Sequence, residues 1–192
     1  FYLRLGLIKI CCSFYCLVFY KSRGILIKGN VVFFGIPFIY KYPGSYISIG
    51  NNVEIRTSPI SNFIGMNRRT SISTHSNYAR IEIGDNSGLS ATVIGAKESI
   101  KIGNSVVIGA NVLITDFDWH SINALERNKG ESSMSKPVLI GDNVFIGYSS
   151  TILKGVEIGE NSVIGANSVV TSKIPANVIA AGNPCKVIKH LN

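Results

Sequence analysis

An aliphatic residue stands at every sixth position from Ile140 through Ile146, Ile152, Ile158 and Ile164 to Val170, and Gly follows immediately at 141, 147, 159 and 165. Small or apolar residues recur four places on, at Val144, Ser150, Val156, Ser162 and Ser168. The same frame appears at Ile102, Ile108 and Ile114 and more faintly at Ile49 and Ile55, while Ile27 and Phe33 read as a degraded beginning. A period of six fits neither an amphipathic helix nor simple strand alternation. It fits a coil with three equal sides, each side giving one aliphatic residue to a central stack. One coil cannot bury its own residues, so stability comes from stacking coils on one another. The motifs "IGDN", "IGEN" and "IGAN" mark corners, where Gly and Asn accept tight or left-handed backbone at least cost.

Between Ile114 and Ile140 the spacing is 26, which is not a multiple of six. Part of the chain therefore leaves the coil, over about residues 115–137, and insertions in a repeat architecture map to loops on one face, often the binding face. The root of this loop reads "ITDFDWHSI" and concentrates reactive side chains. A neutral imidazole, with an unperturbed pKa of about 6.5, can take a proton from an alcohol. His120 is thus the candidate general base. Asp116 and Asp118 are close enough in sequence to orient it or to meet a substrate, and Trp119 offers a flat face of the kind that stacks on sugars. His75 and His190 have no such neighbours and read as structural or surface residues.

The 192 residues suffice for one domain with a real core. The net charge of +8 favours anionic partners, but no run of five like charges occurs and no basic stripe alternates with aromatics, which argues against nucleic acid. Cys11, Cys12 and Cys16 crowd the N-terminus and Cys185 stands apart, with no C-x-x-C. That usage implies reduced thiols and a cytoplasmic chain with no metal site. The N-terminal "FYLRLGLIKICCSFYCLVFY" has an uncharged run of 11 residues, shorter than the ~20 of a spanning helix. It is read either as a helix or strand capping the core, or as an interfacial segment giving peripheral contact with the inner face of a membrane.

The repeat resembles that of the hexapeptide-repeat acyltransferases. The resemblance covers about residues 45–190 and implies an all-β, left-handed parallel β-helix with an extruded loop and an apolar N-terminal segment. On this reading residues 1–44 hold that segment and the start of the coil, and 45–192 the acyltransferase domain. "DFDWHSI" is similar to an Asp-x-Asp-x-His element of the enzymes that acetylate sugars of surface polysaccharides, in which the His activates the acceptor hydroxyl. "VFIGYSSTILKGVEIGENSVIGANSVVTSKIPANVIAAGNPCKVIK" is similar to their acetyl-CoA half. The resemblance implies acetyl-CoA as co-substrate, a backbone N–H at Gly147–Tyr148 near the thioester, Ala166, Thr171 and Ser172 along the pantetheine arm, and Lys186 and Lys189 at the nucleotide phosphates. It aligns Ser90 with an acceptor-binding position and implies a homotrimer acting on a sugar or glycan acceptor.

Other readings are weaker. N-acetylation of an amino sugar would use the same machinery. A zinc hydratase of this fold brings two histidines together on one stretch, whereas this chain spreads three over 75, 120 and 190. A non-enzymatic β-helix would need neither the acid–His loop nor the C-terminal half described above. Nucleotidyl transfer would require a further N-terminal domain.

Overall fold

The computed structural model describes residues 2–129 and 134–191; residues 130–133 of the loop lie outside the described residues. Three parallel sheets form the sides of a triangular prism. The first side stacks Leu26–Ile27, Tyr46–Ile49, Arg80–Ile83, Ser99–Ile102, Val138–Ile140 and Glu157–Ile158. The second stacks Val31–Phe34, Val53–Arg56, Gly88–Ser90, Val107–Ile108, Phe145–Ile146, Val163–Ile164 and Val178–Ala181, with Lys186–His190 added antiparallel. The third stacks Phe38–Tyr40, Ser71–Thr74, Val93–Ala96, Leu113–Thr115, Thr151–Ile152 and Val169–Val170.

The six-residue frame becomes three ladders. Ile27, Ile49, Ile83, Ile102, Ile140 and Ile158 pair in register up the first side, and Ile158 continues to Ile174 through a single bridge. Phe33, Ile55, Leu89, Ile108, Ile146, Ile164 and Ala180 do so on the second. Ile39, Ile72, Ile94, Ile114, Ile152 and Val170 complete the third. Apart from Ile39, which packs on the core while partly exposed, these side chains are buried. Burying each such aliphatic side chain contributes roughly 1.5–3 kcal/mol. Ile27 and Phe33 are full members of their ladders, so the coil begins at Leu26.

At the corners Gly and Asn divide the work differently from the expectation. Asn52, Asn86, Asn143, Asn161 and Asn177 carry positive φ of 54–57° at one corner, where Asn143 and Asn161 each donate a side-chain amide hydrogen bond of 3.0 Å to the Asn of the next coil. The Gly after each Ile of the ladders does not adopt positive φ; it is needed because the next coil is too near for a side chain. A Cβ on Gly147 would lie 2.5 Å from the Ala166 nitrogen, and one on Gly141 2.7 Å from the Glu160 nitrogen.

The N-terminal segment is a helix, Tyr2–Ser22, and it covers the first coil. Cys16 and Tyr20 are buried there, the Ser13 hydroxyl accepts a hydrogen bond of 2.9 Å from the Phe33 N–H, and the Tyr20 hydroxyl donates to the Pro37 carbonyl. Its opposite face remains exposed. Two segments leave the prism: residues 116–137 after the third side, and residues 57–70 between Arg56 and Ser71. The second was not anticipated, although the 17 residues from Ile55 to Ile72 break the frame as plainly as the 26.

Candidate active site

The longer excursion starts with a stem. Phe117 and Ser135 form an antiparallel bridge, the Asp118 N–H donates to the Met134 carbonyl (3.2 Å), and the Lys136 N–H donates to the Asp116 carbonyl (2.8 Å). Beyond it the loop folds into a short helix, Ala124–Asn128, whose Asn123 side chain caps the Leu125 N–H at 2.9 Å. His120 lies between stem and helix with its side chain exposed.

The two acids do not serve the imidazole. Asp116 is fully buried, and its carboxylate accepts from the N–H groups of Lys97 (2.7 Å), Glu98 (2.8 Å) and Ser99 (2.6 Å). Burial raises its pKa; the three N–H donors work against that, and the nearby Glu98 charge adds to it. The expectation that Asp116 orients His120 or meets a substrate is therefore corrected: Asp116 ties the root of the loop to the turn beneath the first side. Asp118 pairs with the Lys154 ammonium. Among the described residues neither carboxylate hydrogen-bonds the His120 ring.

Trp119 instead packs with aromatic neighbours. Its ring centroid lies 4.8 Å from Phe117 and 5.0 Å from His75. The ring crosses the third side so closely that a Cβ on Gly95 would sit 2.9 Å from it. His75 was read as structural or surface; it forms the floor under Trp119, hydrogen-bonded to the Ser73 hydroxyl at 2.9 Å, and burial lowers its pKa. Nothing in its own sequence neighbourhood announced this, because the contact joins residues 44 apart.

A separate cavity of about 320 Å³ opens on the second side. Ser90 and Tyr148 line it together with Glu54, Arg56, Asn62 and Ile64. The shorter excursion supplies the last two, and the Asn62 amide lies 3.2 Å from the Ser90 hydroxyl. Arg56 is held by Glu54 (2.8 Å), by the Ser61 carbonyl (2.6 Å) and over the Phe34 ring (4.3 Å). Asn111, buried at φ 63°, donates to the Gly65 carbonyl (2.9 Å) and the Tyr148 hydroxyl (3.1 Å) and accepts from the Asn67 N–H (3.2 Å). Arg56, Asn62 and Asn111 had not been singled out from the sequence.

From Tyr148 a line of small residues climbs the prism. Gly147 abuts Ala166, a Cβ on Gly165 would meet that of Ala181 at 2.7 Å, and Ala181 pairs in register with Lys186. Lys186 and Lys189 are exposed on the last strand. Thr171 and Ser172 are exposed at the next corner, where the third side ends, and Ala166 stands where the second side ends. The structure thus groups Gly147, Tyr148, Ala166 and Lys186 with Ser90. It leaves His120 and Trp119 on a separate ledge of the same chain.

A family model described as the hexapeptide repeat of succinyl-transferase matches residues 80–116 and 137–172, breaking where the long excursion leaves the prism. Over these two segments the chain is similar to the hexapeptide-repeat acyltransferases. Its three stacked sheets form the left-handed β-helix of these proteins, opposite in hand to ordinary parallel crossovers. The chain is 44% identical over 94 residues to the galactoside O-acetyltransferase of Escherichia coli K12, covering 49% of this chain and 45% of that protein. It is 38% identical over 109 residues to the putative lipopolysaccharide biosynthesis O-acetyl transferase WbbJ of the same strain, covering 52% and 54%. Among solved structures, a galactoside acetyltransferase in complex with coenzyme A is 30% identical with a TM-score of 0.51, covering 86% of this chain and 65% of that one. The chain spans about half the length of these curated relatives.

Proposed function

We propose that the chain is an acetyl-CoA-dependent O-acetyltransferase that acts on a sugar hydroxyl of a polysaccharide precursor. The observation that carries this reading is the line from Tyr148 through Ala166 and Ala181 to Lys186. Small residues let a pantetheine arm lie against backbone, and Lys186 and Lys189 supply point charges for the nucleotide phosphates at its far end. Relatives named as O-acetyltransferases, and a similar galactoside acetyltransferase solved with coenzyme A, support the donor.

In the reaction His120 takes the proton of the acceptor hydroxyl as its oxygen attacks the thioester carbonyl. The backbone N–H near Tyr148 stabilises the oxyanion of the tetrahedral intermediate. Collapse expels the coenzyme A thiolate, to which His120 returns the proton. Trp119, on its floor of Phe117 and His75, stacks on the sugar ring, and Ser90 with Asn62 bonds acceptor hydroxyls. Because His120 and the Ser90–Tyr148 cavity stand apart in one chain, the working unit in this proposal is a homotrimer in which they meet across an interface.

Calorimetric titration with acetyl-CoA tests the donor: one site per chain is expected, weakened by Lys186→Ala. His120→Ala is expected to keep that binding while lowering kcat by about 10²–10⁴-fold, the usual contribution of general-base catalysis. Absence of binding up to millimolar donor would sink the transferase reading, and undiminished turnover in the variant would remove His120 from it.

A further inference from the structure

The helix Tyr2–Ser22 turns one face to the prism and another to solvent. Residues Cys12, Ser13, Cys16 and Tyr20 form the inner face, through burial, packing or the Ser13 bond to Phe33. Leu3, Leu7, Ile10, Phe14 and Val18, spaced by three or four, form the outer one, with 56–81% of each side chain's residue exposed. These residues make one apolar stripe along about 22 Å of helix, at 1.5 Å per residue. Further exposed apolar residues stand on the first coil, among them Ile36, Phe38 and Tyr40.

Charge is distributed along the chain just as unevenly. Residues 1–53 contain Arg4, Lys9, Lys21, Arg23, Lys28 and Lys41 and no acid; the first carboxylate is Glu54. This end of the prism therefore carries six of the eight net positive charges. All six cations are exposed except Lys41, which is partly so. Arg23 and Lys41 flank a half-open cavity of about 380 Å³ walled by Phe19, Pro37, Phe38 and Tyr40 beside the helix. An exposed apolar surface at the cation-rich, acid-free end of the prism, with aromatics among its residues, is complementary to a lipid surface bearing negative headgroups.

We propose that the N-terminal end of the prism is a docking face for an anionic lipid bilayer, with the helix lying flat in the interface. The outer stripe enters the acyl boundary, the six cations meet headgroup phosphates, and the inner face stays on the first coil. A second copy of the chain is the less suited occupant, because it would bring the same uncompensated cations together. The coils rise by about 4.8 Å each, so the cavity that begins at Glu54 in the second coil is held close to the bilayer. The docking face does not depend on the transferase reading.

Co-sedimentation of the full chain with vesicles tests the proposal, comparing phosphatidylcholine alone with phosphatidylcholine mixed with phosphatidylglycerol. Binding is expected to the mixed vesicles, to fall as salt rises, and to drop about tenfold or more in a Leu7→Gln, Phe14→Gln variant. Arg4→Gln with Lys9→Gln is expected to weaken binding to the mixed vesicles selectively. All four positions are exposed, and circular dichroism together with acetyl-CoA titration verifies that the variants remain folded. Equal binding to both vesicle types, insensitivity to salt, or no binding would overturn the proposal. A molecular mass that falls in the Leu7/Phe14 variant, without vesicle binding by the parent chain, would assign the stripe to chain–chain contact and overturn it equally. Loss of acetyl transfer with vesicle binding intact would leave the docking face standing.

Discussion

At the scale of single residues, the physical surroundings of His75 matter as much as those of His120. Burial under Trp119 and Phe117 holds the His75 pKa below its ordinary value, so the native state prefers the neutral ring. The unfolded ring takes up its proton near about pH 6.5. The stability that the neutral ring contributes is therefore fully present above that pH, and it is lost as pH falls through the unfolded value towards the lower folded one. Thermal unfolding followed between about pH 7.5 and 5 should show a declining Tm that flattens in His75→Gln. The chain has one Trp, so its emission reports the same event: a change on acidification in the parent should be absent in the variant. A slope unchanged by the substitution would assign the acid lability to other groups.

At the scale of elements, Asn111 gathers two of the ties between the excursion of residues 57–70 and the prism in one buried side chain. Asn111 satisfies the Gly65 carbonyl and the Asn67 N–H while fixing the Tyr148 hydroxyl. Asn111→Ala removes these bonds and forces a Cβ residue without local hydrogen bonds into φ 63°, a conformation that costs roughly 1–2 kcal/mol. With the unpaired groups included, urea unfolding should register a loss of about 2–4 kcal/mol. Asn111→Gly accepts the backbone and isolates the side-chain bonds, so it should recover about 1 kcal/mol of the loss. Faster hydrogen exchange at the Asn67 N–H in both variants would place the effect on the excursion; exchange unchanged from the parent would contradict the clamp.

This element also marks how far the sequence could be read. The ladders were legible because each side spends its aliphatic residue at a fixed spacing, and stacking converts that spacing directly into register. The long excursion was legible for the same reason, as a break in the count. Asn111 was hidden because it sits at an ordinary corner, in an "IGAN" at 108–111 that repeats the one at 164–167, and only the neighbouring excursion gives its amide something to bind. Asp116 misled because proximity in sequence to His120 suggested proximity of function. A carboxylate at the root of a loop can equally be consumed by backbone N–H groups of the coil below, and here burial decides for that use.

At the scale of the whole molecule, the separation of His120 from the cavity is the fact that the proposed chemistry must overcome. If the cleft joins the loop of one copy to the cavity of the next, each site needs His120 from one chain and the Tyr148–Ala166 line from its neighbour. His120→Ala removes the base and leaves the line intact. Ala166→Trp, at an exposed corner, blocks the line and leaves the base intact. Each variant alone should be inactive. Mixed through dissociation and reassembly in equal amounts, they should form sites of which about a quarter combine both intact halves, as expected for random assembly of a closed symmetric oligomer. Light scattering should give three times the chain mass for parent, variants and mixture alike. A mixture as inactive as its components, at that mass, would place base and donor site in one chain. The loop would then have to swing over its own prism to bring His120 to Tyr148.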